Sequence, residues 1–351
     1  MDIESSRRMV VENPENHESI AMLLSELLEK RDCLLADGAT GTNLFEMGLP
    51  PGHAPEAWNA DEPDNIRANY QSFVDAGSDI ILTNTFGGTR YRLQLHGLQD
   101  RAEELNRQGA ALARQVADAA NRPIVVAGSM GPTGELMAPL GAMTHEDAVA
   151  AFTEQARGLK GGGADLAWIE TMSAPEEMRA AAEAAIAVGL PYVYTASFDT
   201  AGRTMMGLPP ELLAGVAASL PEPPLAFGAN CGVGASDLLL AVLNMPTEDG
   251  VVIAKANCGI PQIRGDKVEY TGTPELMAAY ARFARDAGAR IIGGCCGTTP
   301  AHIAAMRHAL DTSERGARPD IVEIVATLGP LIAPPAANTE NIRPVRRRRR
   351  A

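Results

Sequence analysis

The chain has 351 residues, 46% of them hydrophobic and 21% charged, a composition that fills one large core or two average ones. A formal net charge of −14 argues against general affinity for nucleic acid or an anionic membrane, and no apolar run approaches the roughly 18 residues of a membrane helix. With aromatics at only 4%, the core has to be built from Ala, Val, Ile, Leu and Met.

At the N-terminus, MDIESSRRMVVENPENHES is too polar for the apolar segment of a signal peptide, so residues 1–25 read as an extension and the expected location is the cytoplasm. In that reducing compartment the five cysteines are expected as metal ligands or buried thiols. Neighbouring Cys295 and Cys296 would be strained as a mutual bridge.

Eight short β-branched runs follow. They are CLLAD ending at Asp37, DIILT at Thr83, PIVVAG at Gly128, LAWIE at Glu170, YVYTAS at Ser197, LAFGAN at Asn230, VVIAKAN at Asn257 and RIIGGC at Cys295. Their nearly continuous apolar character predicts strands buried on both faces. Ala-rich stretches between them predict helices, among them RAEELNRQGAALARQVADAA and PEEMRAAAEAAIAVG. The second opens on Pro175 with an acidic first turn and ends at Gly189, which are start and stop signals.

Repeated βα units fit a closed barrel or an open doubly wound sheet. The placement of unusual residues favours the barrel. Asp37, Asn84, Ser129, Glu170, Asn230, Cys231, Asn257, Cys258, Cys295 and Cys296 all fall at or just after strand ends. In a barrel these ends converge on one mouth, where active sites are built. The expected fold is therefore a single (βα)8 TIM barrel over 26–312. Residues 313–351 read as a flexible, solvated tail, with the run Arg346 to Arg350 as a docking arm in the sharper reading.

Cys231 after the sixth strand would meet Cys295 and Cys296 after the eighth at that mouth. Three sulfur ligands leave a tetrahedral zinc one open position, the mark of a catalytic site. Thiolates suit zinc better than magnesium or manganese. Cys33, at the start of the first strand, reads as an apolar core residue. Cys258 leaves open a closed four-sulfur site. The six histidines, His17, His53, His96, His145, His302 and His308, form neither HxH nor HExxH. Gly161 to Gly163 precede a strand and read as a helix-ending turn rather than a phosphate loop.

The segments DGATGTNLFEMGL, LTNTFGGTRYRLQLHGL, GSMGPTGELMAPLG, IETMS, SFDTAGRTMMG, GANCG and GGCCGTTPAHI resemble the homocysteine S-methyltransferase family, over about residues 30 to 310. The resemblance extends to the homocysteine-binding barrel of cobalamin-dependent methionine synthases. It implies a zinc barrel with Cys231, Cys295 and Cys296 as ligands. It implies that Asp37, with backbone groups of Gly38 and Ala39, and Glu170 hold the amino acid end of homocysteine, with Thr83 and Ser129 nearby. Carboxylates suit the ammonium and amides the carboxylate. Asn257 resembles a position that can fill the fourth zinc place before substrate binds, and Cys258 departs from the small residue usual there.

A free thiol is mostly protonated at neutral pH, and coordination would leave it ionised and nucleophilic. The expected reaction is methyl transfer to homocysteine, giving methionine. The chain shows no DxHxxG motif for cobalamin. The expected donor is thus a methyl-corrinoid or methylfolate system on a separate protein. The alternative is direct use of betaine or a dimethylsulfonium compound, for which Trp58, Phe86 and Tyr91 offer a partial aromatic cage. An alternative of another class is a non-catalytic zinc scaffold subunit of a methyltransferase complex, closed by Cys258.

Overall fold

A computed structural model describes residues 23–334, apart from 249, 265 and 266 and the side chains of 261–269. Eight parallel strands form the central sheet: β1 (Leu34–Leu35), β2 (Ile80–Leu82), β3 (Val125–Met130), β4 (Leu166–Met172), β5 (Tyr192–Ala196), β6 (Ala226–Cys231), β7 (Val252–Ala256) and β10 (Ile291–Gly294). Two further strands, β8 (Pro261–Arg264) and β9 (Lys267–Tyr270), form a separate antiparallel hairpin after β7. The central order is β1-β10-β7-β6-β5-β4-β3-β2, and a bridge from Ala36 to Ile80 joins the two ends. The chain is a (βα)8 barrel.

The strands are apolar throughout because each face meets a different core. Leu34, Ile80, Val125, Leu166, Trp168, Val193, Ile253 and Ile291 fill the barrel interior, while Leu35, Ile81, Val126, Ala167 and Ile292 pack against the helices. Leu24 is buried in the interior cluster, with Leu23, Leu27 and Leu28 against it, so the helical residues 23–30 plug one end of the barrel. Burial of Leu24 contributes about 1.5–3 kcal/mol, and the partly buried leucines less.

The helices follow their sequence signals. Ala102–Ala119 opens on Glu103 and Glu104 and buries Leu105, Leu112 and Val116. His145–Gly161 is capped by Thr144, whose hydroxyl accepts from the amide of Asp147. These two helices approach closely at Gly158 and Gly162, where a Cβ would lie 2.5 Å from Glu103 O and 2.3 Å from Arg107 O. Pro175–Ala187 lies where the sequence places it, with Gly189 at φ +64° beyond its end. Between β5 and β6 the chain forms a 3-10 helix, Pro210–Ala217, in place of an α-helix.

The expected tail begins differently from the expectation of flexibility. Ile321–Leu328 is a helix that buries Ile324. Arg315 pairs with Asp32 at 2.8 Å, and Asp237 accepts the amides of Ile332 and Ala333. An apolar face and an Asp320 cap were the signals for this segment. Residues 1–22 and 335–351, including Arg346 to Arg350, lie outside the described residues. No helix among the described residues is long and apolar enough to cross a membrane.

Candidate metal and substrate site

Strand periodicity delivers most of the site. The alternation that turns Leu166 and Trp168 inward puts Glu170 inward too, and Val125 and Ala127 are followed by Ser129. Ile253 is followed by Lys255, and Ile291 is followed four residues on by Cys295. Cys231 breaks the alternation, since Phe227 and Ala229 of β6 face the helices. Its φ of +62° lies in the left-handed region, which costs a residue with a side chain about 1 kcal/mol or more and redirects it.

The Sγ atoms of Cys231, Cys295 and Cys296 lie within 4.8 Å of one another. Tetrahedral zinc with sulfur at about 2.3 Å needs sulfurs roughly 3.8 Å apart, so the three thiols fit the ion by chemistry and spacing. The contacts with Cys231 and Cys295, aided by the Tyr270 phenol, draw the Cys296 thiol well below its ordinary range, while the same contacts raise Cys231. Cys258 stands outside this cluster. It is buried, its thiol is pushed up to about 11 by burial, and its sulfur lies against Gly272. Cys33, buried and donating to Ala289 O at 3.5 Å, is a core thiol.

Two asparagines hold the cluster. Asn257 Nδ2 donates to Gly232 O at 2.6 Å, and its Oδ1 accepts from the Cys296 amide at 3.1 Å. In this arrangement the residue expected as a resting fourth ligand clamps the backbone of both cysteine loops. Asn230 accepts from the Thr171 amide and the Thr195 hydroxyl, each at 2.7 Å. Its Nδ2 donates to Thr171 Oγ1 at 2.7 Å and to Cys295 Sγ at 3.9 Å. Thr171, at φ +61°, is the second strained residue of the site, and Asn230 ties it to the thiols.

A cavity of about 400 Å³ opens above the barrel. Its wall includes the three cysteines, Gly38, Ala39, Thr83, Ser129, Glu170 and Lys255. Glu170 is buried, accepts from the Ser129 hydroxyl and is pushed up to about 7 by burial, against the pull of Lys255. Asp37 is buried, with Oδ2 accepting from the Leu82 amide at 2.7 Å and Oδ1 paired with Lys255 Nζ at 2.8 Å. Burial presses the lysine to lose its proton, but Asp37 and Glu170 outweigh it and raise its pKa. Thr83 Oγ1 accepts from the Ser129 amide at 3.0 Å and meets Thr85 Oγ1 at 2.6 Å. The hydroxyl of Thr83 thus positions Ser129. The amide of Ala39 donates to Thr298 O at 3.0 Å and is committed within the protein.

A homocysteine S-methyltransferase family model matches residues 34–310. The chain belongs to the homocysteine S-methyltransferase family. It is 31% identical over 312 residues to a methionine synthase of Mycobacterium tuberculosis and 30% identical over 313 residues to that of Mycobacterium leprae. Each alignment covers 84% of this chain, which spans 26% of the length of either relative. The metallated form of the Escherichia coli homocysteine methyltransferase MmuM superposes with a TM-score of 0.69 at 26% identity, over 81% of this chain and 99% of that one. Its oxidized form gives 0.67.

Of the site residues named from the sequence, Gly38, Ala39, Thr83, Ser129, Glu170, Cys231, Cys295 and Cys296 line one cavity, whereas Asp37 and Asn257 are not on its wall. Lys255, Asn230 and Tyr270 received no role from sequence reasoning. Lys255 carried a usable signal, as a charge inside an otherwise apolar strand, VVIAKAN. Asn230 stood at a strand end beside Cys231. Tyr270 reaches the thiols from the hairpin that the strand pattern did not anticipate.

Proposed function

We propose that this protein transfers a methyl group to the sulfur of homocysteine, giving methionine, and that Cys231, Cys295 and Cys296 hold zinc for that reaction. The single observation that carries the reading is three convergent thiols on the wall of the same cavity as the buried carboxylate of Glu170. Zinc held by three sulfurs with one open position supplies a Lewis acid that keeps a substrate thiol ionised at neutral pH. The chain's own residues bind and orient. Glu170, held by Ser129, takes the substrate ammonium, and the Gly38 amide lies where it can meet the carboxylate. Fixing the amino acid end aims the sulfur at the donor, which is the proximity contribution. Asn230 and Asn257 keep the thiols in register.

For the donor, the reading is a methyl-corrinoid or methylfolate carrier protein. Of the three aromatics that could form a cage, Phe86 lines the cavity, whereas Trp58 and Tyr91 are absent from its wall. A quaternary onium compound is recognised by several aromatic faces together. The cavity rim instead presents Phe45, Phe86 and Leu95, all exposed, an apolar edge that suits contact with a protein-borne cofactor. The scaffold alternative loses its support because Cys258 stands apart from the cluster. A cytoplasmic location accords with five free thiols.

The test is methionine formation by the zinc-loaded protein from homocysteine, with methylcobalamin, betaine and dimethylsulfoniopropionate supplied in parallel. Turnover with methylcobalamin alone supports the carrier reading. Turnover with an onium compound replaces it with a direct donor, and failure to bind homocysteine refutes the reading as a whole.

A further inference from the structure

Lys255 stands where a cation is costly. It is 1% exposed on β7, and its stem passes Gly293, where an added Cβ would sit 2.9 Å from Lys255 Cγ. The glycine makes room for the lysine. Its ammonium carries three donors, and the described hydrogen bonds use two, to Asp37 Oδ1 at 2.8 Å and Asp37 O at 3.4 Å. The head lies 5.8 Å from the Trp168 ring centroid and faces Glu170 without a described hydrogen bond to it.

The charge of an amino acid substrate sharpens the point. Its ammonium and carboxylate share one carbon, so a substrate with its ammonium at Glu170 has its carboxylate within roughly 4 Å of that nitrogen. There it would face the negative Asp37 and Glu170. Among the described residues of the cavity wall the other basic groups are Arg92 and His96, and both act on a different carboxylate, the buried Glu56. The Ala39 amide is already bonded to Thr298 O. Lys255 is therefore the cation available to the carboxylate.

We propose that Lys255 is a specificity-determining residue that reads the α-carboxylate of the thiol acceptor with its third N–H, while its pairing with Asp37 leaves Glu170 to take the ammonium. This rests on the reading of the cavity as a homocysteine site. The acceptor class it selects is a thiol bearing both an amine and an adjacent carboxylate.

The test is calorimetric titration of the zinc-loaded full chain with L-homocysteine and with 3-mercaptopropylamine, the same thiol without its carboxylate. The natural protein is expected to bind the second about 10- to 100-fold more weakly, the range for a hydrogen bond to a charged group. In Lys255→Met, homocysteine should weaken by about that factor, while 3-mercaptopropylamine stays within about threefold of its original affinity. The double variant Asp37→Asn/Lys255→Met removes the Asp37 charge that the single variant would leave without its cation and should show the same collapse of preference. If both thiols weaken together and the preference survives, Lys255 only props Asp37 and the proposal is overturned. If the natural protein fails to bind homocysteine, the proposal falls together with the reading beneath it.

Discussion

Two aspartates are buried at opposite ends of this barrel and are satisfied in opposite ways. Asp79, just before β2, takes the Leu35 amide at 2.9 Å and faces Arg31, Arg122 and Arg307, each at 3.4 Å. Asp37, just after β1, has one lysine, and the wall of a cavity lies beside that pair. At the first end, cations exceed the anion and the groups lock the helical residues 23–30, the strands and the helix Pro300–Thr312 together. At the second, Asp37, Glu170 and three thiols share a single lysine. On the proposed reading, the excess of acidic groups and thiols at the mouth is capacity for a metal and an ammonium, whereas the bottom is closed on itself. This is the division of a (βα)8 barrel into a stabilising face and a working face, written in charge.

Substitutions at the two ends should break the comparison apart. The largest effect belongs to the thiols: Cys295→Ala should lose bound zinc, measured by elemental analysis, and with it methionine formation. Its counterpart, Asp79→Asn, should lower unfolding stability by about 2–3 kcal/mol in denaturant titration while zinc content and homocysteine affinity hold. That cost sits below the range for a fully enclosed pair because the three guanidinium groups reach solvent.

Glu170→Gln should weaken homocysteine binding about 10- to 100-fold in calorimetry. The pH dependence follows from the carboxyl being pushed up to about 7. Binding the thiol as thiolate makes affinity fall as pH drops in every variant. Because the ionised Glu170 takes the ammonium, the affinity advantage of the natural protein over Glu170→Gln should shrink as pH drops through 7. An advantage that does not change with pH would mean another group reads the amine.

How much of this was legible in the chain follows from where side chains point. The strands, the barrel and the inward-facing Ser129, Glu170 and Cys295 come from apolar periodicity and strand ends. Cys231 is different, because its inward position depends on a left-handed backbone that no periodicity shows. The triad was readable only because glycine-flanked cysteines fell after strands that a barrel brings together. The work of Asn257 as a clamp, of Thr83 on Ser129 and of Lys255 on Asp37 depends on contacts between strands far apart in sequence, which spacing does not encode. The helix Ile321–Leu328 was hidden by its Pro- and Arg-rich surroundings.

Smaller effects sharpen the account of the thiol end. Asn230→Ala removes the bonds that tie Thr171 and Cys295 together and should lower zinc affinity about tenfold, the low end for a group behind a metal ligand, as read by competition with a chromophoric chelator. Cys258→Ala should keep one zinc per chain and cost about 1 kcal/mol of stability as a small core truncation.

X-ray absorption at the zinc edge, before and after homocysteine, addresses the central claim most directly. The account predicts three sulfurs and one lighter atom at rest, becoming four sulfurs when homocysteine is added. Four sulfurs without substrate, or a coordination shell that homocysteine leaves unchanged, would contradict it.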